Sequence, residues 1–516
     1  MKLKINNKAA ILLIGTTLMF CSCAAHREAA DKLKAAHNKT NDKPAPVANK
    51  TIKPTGPTGP SGARGSSAKL ETDLYGGNFK IAAANIDNNK FLLAERNHLL
   101  YLMEKGKLEY LAGHYSRSNE LFEQAYIMLD DKIKTKAGQA VASVLTNPMA
   151  APYKGEDFEK VAIHYYKALN YFALGNPGEA LIEAKRINIK LTELNDKYKD
   201  SKNKYAADAF SQIVQGVLYE STGDINNAFI AYRDAEEIYA ANNAAYFGVP
   251  MPEQLKYDLV RTAGQLGFTD ELQKFQTKFG ITYAVASNTA SGPSADSQTA
   301  DKAEGEVVIF WENGLGPVKD QTKITVGGSN LGTTAVIGTG DEAFIINIPA
   351  GVNVGITSIA IPKYVSRGSY YNKASVMVNN REQFFELSEN YDDIAKQCLK
   401  DRMGREVLDI AIRAGSKKVV SKGLSMLADH FLGAAAGQVT SLATGVVNVA
   451  TEKADLRNWQ SLPSTISYVR VPVKAGDNAI IIKKYGPNAI DEDVIHVNGK
   501  PGLQIVSYSD LGRTIN

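Results

Sequence analysis

The sequence predicts an α+β protein: an N-terminal all-α helical-repeat domain, then a β-rich, sandwich-like domain with a helical insertion. Three observations predict it. A glycine-anchored helical pattern recurs from Leu70 to about Gly280. Beyond about residue 305 it gives way to short β-branched and aromatic runs bounded by Gly, Pro and Asn. Between about 383 and 455 the helical period returns before strands resume. With 516 residues and 44% apolar side chains, the chain is long enough for several such units.

A targeting segment precedes both units. Lys2, Lys4 and Lys8 form a basic stretch, followed by an apolar or small run from Ala9 to Phe20. That run is shorter than the roughly 20 residues of a membrane span and has the length of an export-signal core. Cys21-Ser-Cys23 comes next. A lipoprotein signal needs a small residue before the cysteine that receives lipid. Ser22 before Cys23 meets that need and Phe20 before Cys21 does not; Phe20, three residues before Cys23, makes the box a relaxed one. Cys23 is therefore the expected lipidation site and 1–22 the signal peptide. The alternative is an ordinary secretory signal with two incidental cysteines. Without residues 1–22 the chain has 56 basic against 55 acidic side chains. That balance argues against a nucleic-acid partner. Cys398 is the other mature cysteine and reads as a small buried hydrophobe, with no intrachain disulfide expected.

Residues 23–69 hold almost no large apolar side chains and read as a disordered tether. As a random coil it would span about 35–40 Å. Gly56, Gly59, Gly62 and Gly65 recur with collagen spacing, but four triplets are too few for a triple helix.

Residues 70–285 carry the helical repeat. Gly113 is followed by Tyr115, Ser118, Phe122 and Ala125. The same offsets from Gly175 give Pro177, Ala180, Ala184 and Ile187, and from Gly223 give Ile225, Ala228, Tyr232 and Ala235. Seven residues before each lead glycine stands a small residue: Gly106, Ala168 and Gly216. Tyr110, Tyr171 and Tyr219 follow these within three or four residues. Such spacing predicts helix hairpins in which a small residue of the first helix admits a large one of the second. These are landmarks of the tetratricopeptide repeat (TPR), here with 62 and 48 residues between lead glycines rather than 34. A weaker copy starts at Gly77.

Residues 286–304 read as a second linker. In the 305–516 domain, Glu306–Trp311, Thr322–Val326, Ala343–Ile348, Ile356–Ile361 and Ala374–Val378 are predicted strands. The helical insertion at about 383–455 ends in the Gly/Ala-rich run Leu432–Ala450, too polar for a membrane span. Thr465–Val473, Ala479–Lys484, Val494–Val497 and Leu503–Tyr508 are the final strands.

Chemical motifs are sparse. No His-Glu-x-x-His, Gly-x-Ser-x-Gly, complete Walker loop or mature Cys-x-x-Cys occurs, and the seven histidines lack metal-ligand spacing. His164, near Glu156, Asp157 and Glu159, is read as structural, and Asp455, Arg457 and Trp459 as a packed junction. In Glu312–Pro317, Asn313, Gly314 and Gly316 could offer N–H groups to an anion or a peptide carboxylate, the alternative being a plain hairpin turn. Gly327–Gly332 approaches a phosphate loop, but Thr333 stands where its lysine must be. No cofactor, metal or small-molecule substrate is indicated, and no enzyme is expected.

The segments His98–Glu104, Glu156–Tyr171, Val308–Lys319 and Asp455–Pro463 resemble a family of uncharacterised bacterial lipoproteins. That family pairs TPR-like helices with a C-terminal β-rich region, and the similarity runs from Leu70 to Lys484. Its members are often encoded beside small outer-membrane lipoproteins that activate cell-wall synthases. The resemblance implies a role in envelope assembly and no catalytic residue.

The expectation is thus a lipid-anchored scaffold that binds envelope proteins through its TPR-like face, with Tyr110, Tyr171 and Tyr219 as contact residues. Tyr165, Tyr166, Tyr232 and Tyr239 extend that inventory. Ala24-Ala25, with no aspartate after Cys23, is read as permitting transfer to the outer membrane. A surface adhesion protein and a cell-wall-modifying enzyme are the alternatives.

Overall fold

The computed structural model describes residues 68–134, 149, 151–197, 205, 207–283, 304–326, 333–337, 344–348, 357–378, 381–416 and 454–512. Cys23, most of the tether and second linker, Gly327–Gly332 and Leu432–Ala450 lie outside them.

The helical half is a series of hairpins. The pairs are α1 (Ala68–Tyr75) with α2 (Phe79–Asn85), and α3 (His98–Leu111) with α4 (Tyr115–Lys134). They continue as α5 (Asp157–Ala173) with α6 (Pro177–Lys197), and α7 (Ala209–Ser221) with α8 (Ile225–Ala241). The last is α9 (Glu253–Leu266) with α10 (Thr269–Phe279). Each turn closes on a glycine in the left-handed region, such as Gly113 at φ 81° and Gly223 at φ 79°. There the glycine N–H and the next one bond back to the last helical turn, as in Gly113 N–H to Tyr110 O and His114 N–H to Glu109 O. This satisfies carbonyls that a helix end would otherwise leave bare. The hairpin at Gly267 ends in the same way, although its sequence lacks the other landmarks.

The small–large spacing has a direct physical cause. A Cβ on Gly106 would lie 2.7 Å from the Phe122 ring, and one on Gly216 would lie 2.3 Å from the Tyr232 ring. Only glycine lets those helices approach so closely. In the middle copy Ala168 and Ala184 are both fully buried.

The strands form two four-stranded sheets. The central one has the order β10 (Glu386–Asn390), β11 (Pro463–Val473), β3 (Gly305–Leu315), β14 (Gly502–Asp510), with β14 parallel to β3. The outer one has the order β13 (Ile490–Gly499), β12 (Gly476–Tyr485), β8 (Lys373–Val378), β9 (Arg381–Phe384). Three short antiparallel pairs complete the described strands. They are β1 (Ala245–Tyr246) with β2 (Val249–Pro250), β4 (Val318–Val326) with β7 (Thr357–Val365), and β5 (Thr333–Ile337) with β6 (Phe344–Ile348).

Side-chain alternation makes the central sheet an inner layer. Val308, Phe310, Ile466 and Tyr468 join the core of the helices, with Phe310 5.8 Å from Phe210 of α7. Val307, Ile309, Trp311, Val469 and Val471 face the other way and pack with Val376, Ile480 and Ile482 of the outer sheet. Helices and central sheet therefore share one hydrophobic core.

Two expectations require correction. The helical period was expected to return at about 383, but residues 381–390 form β9 and β10, and helix α11 begins at Tyr391 (Tyr391–Ser416). Strands of four and five residues are too short to declare a period. Glu312–Pro317 is not a hairpin turn. β3 runs through Asn313 and Gly314 to Leu315, and β3 and β4 pair with different partners.

Candidate functional site

The inner face of the hairpin array is where a partner segment was expected, and an extended segment of this same chain lies there. Residues 454–462 lead into β11 across the first helices of the hairpins. Glu159 of α5 accepts the Trp459 N–H at 2.6 Å, and Glu104 of α3 accepts those of Gln460 at 2.7 Å and Ser461 at 3.2 Å. Arg457 is buried, donating to Asn97 Oδ1 at 3.0 Å and to the Ala151 carbonyl at 2.9 Å. Trp459 packs 5.6 Å from Phe122 and 5.9 Å from Tyr166. Burial pushes the Glu104 carboxyl up to about 7, against the pull of the Ser461 and Gln460 donors. It raises Glu159 as well, with the Glu156 charge adding to it.

Beside this segment, buried ion pairs join helices to strands. Lys107 of α3 reaches Glu312 of β3 at 2.6 Å, and Glu312 also accepts from Tyr166 at 2.8 Å and Ser509 at 2.7 Å. Burial drives Lys107 down to about 8, partly opposed by Glu312. Arg470 of β11 bonds Glu220 of α7 at 2.7 Å and Asp258 of α9 at 2.9 Å, and it also contacts Glu306. Burial works against the Glu220 carboxylate, but Arg261 and Arg470 outweigh it and hold Glu220 below the usual range. Glu156 contacts both Lys319 of β4 and Arg402 of α11. These networks have the chemistry of a seam, since each charge is spent on another element of the fold.

The tyrosines named from sequence take three places. Tyr110 is buried, 5.0 Å from the Tyr166 ring and beneath the Lys107 ammonium at 4.5 Å. Tyr171 and Tyr219 are partly buried at the ends of α5 and α7, where their carbonyls accept from Asn176 and Asp224 in the turns. Tyr165, Tyr166, Tyr232 and Tyr239 are all core residues. Asn313 is buried and donates to the Tyr371 carbonyl at 2.9 Å. Gly314 has φ 66°, and a Cβ there would lie 2.3 Å from Ser369 Oγ. Gly316 gives its N–H to Leu462 O at 2.7 Å, and its own carbonyl accepts from Arg367. His164 meets Glu183 at 2.8 Å in the interior.

No protein-family model matches this chain, and no curated protein matches it.

Among the described residues, two of the cavities on the surface are well defined. A polar cleft of 440 Å³ lies between the α1–α2 turn, β12, β13 and β14. In it Lys484 bonds Asp493 at 2.6 Å and contacts Asp510, Tyr371 donates to Asp491 at 2.8 Å, and Tyr508 contacts Asp493. Lys484, the cation lining it, is thus paired with both Asp493 and Asp510. The second is an open, largely apolar groove of 480 Å³ beside β9 and β10, walled by Pro250, Met251 and Pro252. Sequence reasoning missed this groove. Its only local signal was Pro250-Met-Pro252, two prolines around an apolar residue just before a helix. Among the described residues no group of three or more His, Cys, Asp or Glu could hold a metal ion. No helix among them is long and apolar enough to cross a membrane.

Proposed function

We propose that this protein is an envelope lipoprotein, anchored through lipid on Cys23, that binds other proteins as a scaffold. Its hairpins read as a TPR-like array whose inner face is committed to the chain's own β region. The observation that carries the reading is the grip of Glu104 and Glu159 on the backbone N–H groups of Trp459, Gln460 and Ser461. Holding an extended segment along the inner face of stacked helices is how helical-repeat arrays bind partners, and here that is done within one chain. Partners then meet the surfaces left outside that contact. The resemblance to lipoproteins encoded beside cell-wall-synthase activators favours envelope assembly as the setting.

Affinity isolation of the full-length protein from detergent-solubilised envelopes tests the reading. A reproducible protein partner at near-equal amount is expected. Recovery of lipid and porins alone would overturn it. Cys23→Ser tests the anchor separately: it should block lipid attachment and release folded protein from the membrane fraction. Unchanged processing with full membrane retention would remove the anchor from the account.

A further inference from the structure

The groove beside β9 has three properties, the first being an open sheet edge. Among the described residues β9 pairs only with β8. The Phe385 N–H donates to the Ala374 carbonyl at 2.9 Å, which fixes the phase of the antiparallel ladder. Gln383 then bonds inward opposite Val376, and the backbone N–H and C=O of Glu382 and Phe384 point away from β8. An edge of this kind is a template for another strand.

The second property is an apolar seat with a rigid wall. Phe384 is 44% exposed, and Met251, Leu387 and the two prolines line the same space. The wall is held by the β1–β2 hairpin, whose turn residues Phe247 and Gly248 both have positive φ (46° and 75°). That is the backbone of a tight two-residue turn. The Met251 N–H donates to Ala244 O at 3.2 Å, which fixes Met251 on the groove side of the hairpin.

The third property is charge. The ionisable residues lining the groove are Glu253, Glu382 and Glu386, and all three are acids. Burial pushes Glu386 up to about 7 even though the Gln254 N–H donates to it, and Lys256 contacts Glu253 on the same helix. A 480 Å³ groove lies within the range of side-chain and ligand pockets.

We propose that this groove receives an extended segment of a partner protein, added as a strand to the edge of β9. One large apolar side chain of the segment sits between Met251 and Phe384, and a neighbouring Lys or Arg faces the glutamates. Main-chain bonds to Glu382 and Phe384 supply affinity, while the seat and the acids select the sequence. The inference rests on the scaffold reading and gives that reading its contact site.

The test uses the full mature chain and a fluorescein-labelled peptide, Lys-Val-Leu-Val-Lys, with Asp-Val-Leu-Val-Asp as its counterpart. Anisotropy should show saturable binding of the basic peptide, weakened by added salt, and at least tenfold weaker binding of the acidic one. Phe384→Ala and Glu253→Lys should each cost about tenfold or more, while Val494→Ala, on a different strand of the same sheet, should cost nothing. Thermal melts identify any variant that fails to fold, and Glu253, 58% exposed at its side chain, is the safer of the two. Amide exchange at Glu382 and Phe384 should slow in the complex. Equal binding of the two peptides, no binding of either, or unchanged exchange at those amides would overturn the proposal. A protein that still co-isolates an envelope partner while failing this test loses the groove but keeps its scaffold role.

Discussion

Lys107 and Glu312 stand 205 positions apart in the chain and meet at 2.6 Å, with 0% and 1% of their side chains exposed. The pair ties the second hairpin to the middle of the central sheet. Tyr166 and Ser509 complete the coordination of the carboxylate, and the ammonium lies over the rings of Tyr110 (4.5 Å) and Tyr166 (4.0 Å). A buried pair of this kind stabilises little against an apolar pair, yet breaking it strands a charge.

Lys107→Met is therefore expected to destabilise the fold by about 3–5 kcal/mol. Adding Glu312→Gln should restore most of the loss, because no charge is then left alone in the interior. Urea unfolding of the wild type, both single variants and the double variant gives the coupling directly. Equal losses in the single and double variants would show that the pair is not the seam.

Helix propensity and packing make opposite forecasts for two glycines. Gly178, in the first turn of α6, has nothing within 4 Å of a built Cβ, so Gly178→Ala should stabilise by up to about 1 kcal/mol. Gly216→Ala gains the same propensity but drives a methyl into the Tyr232 ring, at 2.3 Å. It should destabilise by about 1–3 kcal/mol. Melting temperatures of the two variants decide the matter, and a shift of the same sign in both would refute the close packing of α7 on α8.

Stability should fall on both sides of a mildly acidic optimum. Burial raises Glu104 from 4.5 to about 7, and Glu386 likewise to about 7. Between those values the folded chain keeps protons that the unfolded chain has released, so stability drops as pH rises from about 4.5 to 7. Glu156 works in the other direction. Burial opposes its charge, but Arg402 and Lys319 prevail and hold it well below the usual range. Its contribution is present above about 4.5 and is lost as pH falls. Melts across the acidic range should peak at about pH 4.5, and Glu104→Gln should flatten the limb above the peak.

The hairpins were legible because their causes are local. A glycine at positive φ and a small residue sixteen positions before a large one lie within a single helix pair, as Gly106 and Phe122 do. Most strand positions were legible for the same reason, since alternation is a property of a few adjacent residues. What escaped was decided at long range. Asn313-Gly314 carries a hairpin signal, yet β3 continues through both residues because β11 and β14, from distant parts of the chain, pair along it. Tyr110, Tyr166 and Tyr232 look like ligand-facing tyrosines until the central sheet and the 454–462 segment cover that side of the helices. The groove depended on two sheet edges and the β1–β2 hairpin converging, which no local pattern announces.

Site-specific photo-crosslinking in intact cells tests the scaffold claim most directly. A benzoylphenylalanine placed at Ile182 or Ile189 on the outer face of α6, at Phe384 in the groove, or at Val494 on β13 samples exposed surface outside the committed inner face. The account predicts a discrete protein adduct from Phe384, lost in Glu253→Lys, and weak or no adducts from the other three positions. Adducts of lipid and porins alone at all four would contradict it.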